Sequence, residues 1–193
     1  MRRPVRVVGL TGGIGAGKSE ALAAFARHGA ATLSSDTVVH ELYQHENVRR
    51  AVGEHFGDDV VGRDGAIDRS AVARVVFADP DERRWLEALL LPLIGERFAE
   101  WRDRELASGE RLLVHEAPTL FEAGIEDRYD AIVDITASGE LREQRRPGAA
   151  ARMAHQLPES EKAARSDFVY RNDGDLADLD RWVGELVRKL ERE

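Results

Sequence analysis

Eight consecutive residues, Gly12-Gly13-Ile14-Gly15-Ala16-Gly17-Lys18-Ser19, carry the most telling chemistry in the chain. They fit the spacing G-x-x-x-x-G-K-[S/T], in which glycines let the backbone wrap an anion with its N–H groups turned inward. The N-terminus of a following helix adds positive potential, and a lysine at the position of Lys18 reaches the β- and γ-phosphates of a nucleoside triphosphate. A hydroxyl at Ser19 would ligate magnesium. The plain alternative is a glycine-rich turn with a solvated lysine; strand and helix signals on either side of the loop argue against it.

Other residues suit phosphoryl transfer by position. Asp36 follows a short apolar run, where its carboxylate could take the proton of an attacking hydroxyl or reach magnesium through water. Among Ser34, Ser35 and Thr37 it could equally cap a helix. Arg142, Arg145, Arg146 and Arg152 form the one locally basic stretch of the chain, around Pro147-Gly148. Guanidinium groups closed over a transferring phosphoryl group stabilise its equatorial charge and exclude water. Arg142 and Arg146 share a helical face, as do Arg142 and Arg145; a solvated surface is the competing reading. Glu116 ends an apolar run and could stand near the metal or cap a loop. The six histidines show no metal-ligand spacing and read as surface or packing residues.

The elements that must position these groups follow from periodicity. Val5 to Leu10 predicts a strand, with a helix carrying Leu22, Phe25 and Ala26 after the loop. His28-Gly29 ends that helix, and Ala30 to Leu33 predicts a second strand leading to a helix start at Ser34-Ser35-Asp36. Helical spacing then runs to about Ser108: Val48, Val52 and Phe56 fall four apart, Asp68 caps Arg69 to Phe77, and Trp85 to Leu90 follows Asp79-Pro80. Pro92 is expected to start or kink a further helix. Arg111 to His115 and Ala131 to Ile135 read as strands apolar enough to be covered on both faces, with Pro118 to Gly124 a loop or short helix between them. The stretch from Glu140 to Gln156 has the character of a flap. Phe168 to Arg171 is a last strand, and Leu176 to Leu190 an amphipathic closing helix. Alternating strands and helices predict a parallel sheet with right-handed crossovers, its ligands beyond the carboxyl ends of the strands.

Composition narrows the function. The chain has 193 residues, enough for one well-cored domain, and carries 28 Lys and Arg against 36 Asp and Glu, a net charge of -8. Such an acidic chain offers no general surface for a phosphate backbone, so nucleic acid is not the expected partner. With no cysteine, thiol catalysis, disulfides and thiolate metal sites are excluded. No window reaches the roughly 18 apolar residues of a membrane span, and the basic start of the chain runs straight into glycines rather than a signal-peptide core. A cytoplasmic protein without membrane association, monomeric or weakly homo-oligomeric, is expected.

Four stretches together resemble the dephospho-coenzyme A kinase family over nearly the whole chain. Gly9 to Ser19 resembles its phosphate loop, narrowed by the Leu-Thr-Gly-Gly-Ile-Gly lead. Ser34-Ser35-Asp36 resembles its Asp-Ala-Asp segment, with Asp36 on the last aspartate. Glu116-Ala117-Pro118-Thr119-Leu120-Phe121-Glu122-Ala123-Gly124 is similar to its acidic-x-Pro-Leu-Leu-Phe-Glu-x-Gly motif, and Arg152 to Gln156, Glu161-Lys162, Ala164 to Asp167 and Asn172-Asp173-Gly174 follow its C-terminal pattern. Ser34 replaces the family's first aspartate, Thr119 a leucine, and Leu91-Pro92 its usual His-Pro; the arginine segment is several residues short.

The resemblance implies an α/β, three-layer P-loop kinase fold: a five-stranded parallel sheet flanked by helices, with a helical substrate-binding insertion at about 37–108 and a short lid at about 139–156 in a single domain. It implies transfer of the ATP γ-phosphate to the ribose 3'-hydroxyl of dephospho-coenzyme A, the last step in making coenzyme A, with ATP and Mg2+ required. Asp36, Lys18, Arg142 and Arg146 are then the expected catalytic residues. Gly13, Ile14, Gly15, Ala16, Gly17, Lys18, Ser19, Glu20, Arg152 and Asn172 would bind the nucleotide, with Ser19 on the metal. Asp36, Glu116, Pro118, Leu120, Phe121 and Glu122 would meet the acceptor. Two other readings keep the same loop: a kinase of this fold acting on another small alcohol or nucleotide, and a nucleotide-binding relative with weak transfer.

Overall fold

The computed structural model describes residues 6–62, 64–150 and 156–192. Five strands, β1 (Arg6–Gly12), β2 (Ala31–Ser34), β3 (Leu112–Glu116), β4 (Ala131–Thr136) and β5 (Phe168–Arg171), form one parallel sheet in the order β2-β3-β1-β4-β5. The helices that lie wholly within the described residues are α1 (Lys18–Arg27), α2 (Ser35–Leu42), α3 (Glu46–Phe56), α4 (Arg69–Ala78), α5 (Pro80–Ser108), α6 (Gly139–Arg145), α7 (Glu159–Arg165) and α8 (Leu176–Leu190). Short 3-10 turns at Asp58–Val60 and Glu126–Arg128 join them. The strand order puts β1 at the point where successive connections leave to opposite sides, the place where open sheets bind ligands.

Side chains alternate across the strands and so sort the core into two layers. Val8 and Leu10 of β1, with Val133 and Ile135 of β4, pack against Phe25 of α1 and Leu179, Val183 and Leu186 of α8. The opposite face carries Ile132 with Leu120 and Phe121. Register pairs Gly9 with Ile132 and Thr11 with Asp134, so Thr11 and Asp134 belong to this second face. All five residues of β3 are buried, as a strand covered on both faces requires.

Contacts divide the chain into two compact units, residues 1–34 with 101–193, and residues 35–100. The second is helical: α2, α3, α4 and most of α5. Asp68 caps α4 as its sequence position predicts, accepting the N–H groups of Ser70 at 2.9 Å and Ala71 at 3.1 Å. His55 stacks on Trp85 with ring centroids 3.7 Å apart. No new helix starts at Pro92, which corrects one of its two expected effects: α5 runs unbroken for 29 residues, since a proline removes one rung of a long ladder and apolar spacing resumes beyond it. No helix among the described residues is long and apolar enough to cross a membrane.

Candidate active site

The glycine loop leaves β1 at Gly12 and enters α1 at Lys18. Its glycines are required by close approaches. At Gly12, where φ is 144°, a Cβ would stand 2.2 Å from the Ile135 carbonyl oxygen of β4. At Gly17, the N-cap of α1 with φ 103°, it would stand 2.2 Å from Asn172 Nδ2. Neither position accepts a side chain. The turn is closed by Ala16 N–H donating to the Gly13 carbonyl at 3.2 Å, and Lys18 Nζ donates to the same carbonyl at 3.1 Å. Ser19 and Glu20 are exposed in the first turn of α1, Ile14 is half-buried, and Ala16 is fully buried.

Beside the loop lies a group of buried polar side chains. Asp134 is 1% exposed, and neither carboxylate oxygen has a hydrogen-bond partner. Burial, aided by the nearby Glu159 carboxylate and opposed by Lys162 and Lys18, pushes its pKa up to about 6. Lys162, also 1% exposed, donates to the Pro118 carbonyl at 3.1 Å and pairs with Glu122 Oε1 at 2.8 Å. Thr11 Oγ1 donates to the same Pro118 carbonyl at 3.2 Å. The segment from Glu116 to Glu122 is thus tied to the strand that carries the glycine loop. Leu120 and Phe121, expected to meet the acceptor, are buried in a cluster with Ala117 and Ile132, where their apolar side chains anchor the segment. Glu116, 3% exposed, accepts the Ser34 hydroxyl at 2.7 Å. Ser34 therefore supplies a donor to this carboxylate where an aspartate would repel it.

The three arginines of α6 and its end separate by role. Arg142 is paired through Nη1 with Glu159 Oε1 at 2.9 Å. Arg145 donates through Nη2 to the Asn172 carbonyl at 3.0 Å and through Nη1 to the Ala16 carbonyl at 3.5 Å. Arg146 is exposed and lies past the end of the helix, with φ -144° and ψ 89°. Arg146 is the C-cap of α6: its N–H still donates to the Arg142 carbonyl at 2.8 Å, one turn back, while its own backbone angles leave the helix. Asn172 is 2% exposed and donates through Nδ2 to the Ala16 carbonyl at 2.8 Å. Arg152 lies outside the described residues. Asp36 is exposed in the first turn of α2, directly after β2, in the helical unit.

Periodicity missed Asp134 and gave Arg145 no special place. A carboxylate inside a run otherwise apolar on both faces was the available signal for Asp134. For Arg145 there was none, since its role depends on where α6 ends.

A parallel sheet in this order, with a glycine loop of this form after its central strand, defines the phosphate-loop α/β kinase fold. A Campylobacter jejuni dephospho-CoA kinase shares that fold, with a TM-score of 0.70 at 21% identity over 96% of this chain and 97% of that one. The family model for dephospho-CoA kinase matches residues 6–178. A dephospho-CoA kinase of Streptomyces avermitilis is 38% identical over 192 residues, covering 95% of this chain and 93% of its own. The crystal structure of the Thermus thermophilus protein TT1252 superposes with a TM-score of 0.79 at 33% identity, over 98% of this chain and 99% of that one. The chain belongs to the dephospho-CoA kinase family.

Proposed function

We propose that this chain transfers the γ-phosphate of ATP to the ribose 3'-hydroxyl of dephospho-coenzyme A, giving coenzyme A and ADP. The observation that carries the reading is the loop itself: glycines held at positive φ, Lys18 at the head of α1, and buried carboxylates on the strands either side of β1, Glu116 at the end of β3 and Asp134 within β4. Family membership supports the acceptor.

In this reading the N–H groups of Gly13 to Ser19 and the Lys18 ammonium hold the β- and γ-phosphates, so the transferring group is positioned before it reacts. Lys18 exchanges its contact with the Gly13 carbonyl for phosphate oxygens. Asp36 takes the proton as the 3'-oxygen forms its bond to γ-phosphorus and the bond from that phosphorus to the β-bridging oxygen breaks, leaving ADP. The segment from Glu116 to Glu122 shapes the acceptor side, and the α6 segment shields the phosphates from water. The chemistry of the donors suits a hard divalent cation: the Ser19 hydroxyl would hold it, and Asp134, with two buried oxygens that lack a hydrogen-bond partner, and Glu116 are the oxygen ligands such an ion takes, directly or through water. Bound Mg2+ would neutralise developing charge on the phosphate oxygens. No phosphoenzyme is required, because loop and acceptor can hold the reactants in line.

Replacing Asp36 with Asn tests the assignment. Turnover is expected to fall roughly 100-fold or more, the usual worth of a general base, while ATP binding stays within about twofold. Unchanged turnover would remove Asp36 from the mechanism.

A further inference from the structure

The loop's peptide units must point their N–H groups inward for it to hold phosphate, and in a trans peptide the preceding carbonyl points the other way. The carbonyl of Ala16 belongs to the same peptide unit as the N–H of Gly17. That carbonyl is held on the outer side by two donors, Asn172 Nδ2 at 2.8 Å and Arg145 Nη1 at 3.5 Å. Arg145 Nη2 also holds the Asn172 carbonyl at 3.0 Å, and the Asn172 N–H donates to the Thr136 carbonyl at 2.8 Å. The carbonyl is thereby fixed to the ends of β4 and β5 through a buried amide side chain.

We propose that Arg145 and Asn172 are positioning residues for nucleotide binding: by clasping the Ala16 carbonyl they set the Gly17 N–H toward the phosphate. The inference rests on the kinase reading of the loop and goes beyond it, since neither side chain needs to touch the phosphate to act. Three features agree. Gly17 is the N-cap of α1, so its N–H is among the donors a helix leaves without an internal partner. Its φ of 103° belongs to the left-handed region, and absence of a Cβ lets Asn172 Nδ2 approach. At Gly15 a Cβ would stand 2.7 Å from the Arg142 carbonyl oxygen, so α6 meets the loop with its backbone one turn before Arg145 reaches it. The Arg145 guanidinium, which two-carbonyl geometry occupies, thus differs in task from Arg142, which is paired with Glu159.

The test uses the whole protein labelled with 15N-glycine, with two-dimensional spectra and calorimetric titration of Mg-ADP into wild type, Arg145→Met, Arg145→Lys and Asn172→Ala. In wild type, the Gly17 amide proton moves downfield when Mg-ADP binds. In Arg145→Met and Asn172→Ala that shift shrinks and Mg-ADP affinity falls roughly tenfold, about the worth of one hydrogen bond; the thermal midpoint changes little in Arg145→Met and falls in Asn172→Ala, whose buried amide also holds the fold. Arg145→Lys, able to reach one carbonyl but not fork across two, falls between. The KM for ATP rises in the same order, with the KM for dephospho-coenzyme A within about twofold. A wild-type Gly17 shift and Mg-ADP affinity retained in both truncated variants would overturn the clasp. Should one variant fail to fold, the other decides. Wild-type protein that binds no Mg-ADP would overturn the kinase reading itself, a different failure from retention of the shift.

Discussion

Asp134 offers a prediction whose sign and size follow from its surroundings. Folding carries this carboxylate from water into a place where it is 1% exposed and neither oxygen is hydrogen bonded, raising its pKa from 3.8 to about 6. The folded state then binds its proton more tightly than the unfolded state does. Stability from this group is complete below pH 3.8 and is lost as the pH rises toward 6, after which the loss is constant. About two pH units at 1.36 kcal/mol each make the loss about 3 kcal/mol. Asp134→Asn keeps the shape and removes the charge. Urea unfolding of the nucleotide-free protein between pH 4 and 8 should therefore show the variant near wild type at pH 4. It should be more stable by up to about 3 kcal/mol above pH 6.5, a midpoint shift of roughly 1 M or more. The attraction to Lys18 and Lys162 is already contained in this figure, since it lowers the pKa from what burial alone would give. A difference independent of pH, or an Asn variant less stable than wild type at pH 8, would refute the reasoning. Activity should move the other way: a buried carboxylate kept beside Lys18 against its cost in stability is what a site under functional demand looks like.

His115 has the opposite sign. It is 2% exposed and bonded through Nδ1 to the Tyr129 hydroxyl at 2.8 Å, and burial, with the nearby Arg128, lowers its pKa from 6.5 to about 4. The unfolded chain takes the proton first, so stability falls as the pH drops from 6.5 to 4; His115→Gln should flatten that limb of the urea profile by up to about 3 kcal/mol. Gly17→Ala places a Cβ 2.2 Å from Asn172 Nδ2 at a φ of 103°. Left-handed strain of about 1–2 kcal/mol with the displaced clasp should raise the KM for ATP at least tenfold while the helical unit keeps its far-ultraviolet circular dichroism.

Much of this architecture is written locally. The glycine loop is legible because the spacing from Gly12 to Ser19, the β-branched run before it and the helical spacing after it all agree. All five strands fall within two residues of their predicted limits, since each is a short apolar run bounded by glycine, proline or polar residues. Asp68 is legible for the same reason, as a capping residue satisfies donors two and three positions away.

What stayed hidden depends on packing. Helical spacing relates Arg142 equally to Arg145 and Arg146, and only the break in backbone angles at Arg146 separates them. Nothing local says that Arg145 will find the carbonyls of Ala16 and Asn172, respectively 129 and 27 residues away. Asp134 is hidden among its apolar neighbours, and the burial of Leu120 and Phe121 against Ile132 depends on packing that their own segment does not spell out. That Pro92 starts no new helix is likewise a matter of context, since α5 spreads the loss of one rung over 29 residues.

The most direct test is acceptor use. Purified protein is incubated with Mg-ATP and dephospho-coenzyme A, with AMP, adenosine and shikimate in parallel, and ADP release is followed together with product mass. The account predicts ADP and coenzyme A in equal amounts with the first acceptor and background ADP with the others. ADP formed with another acceptor, or none despite tight ATP binding, would contradict it.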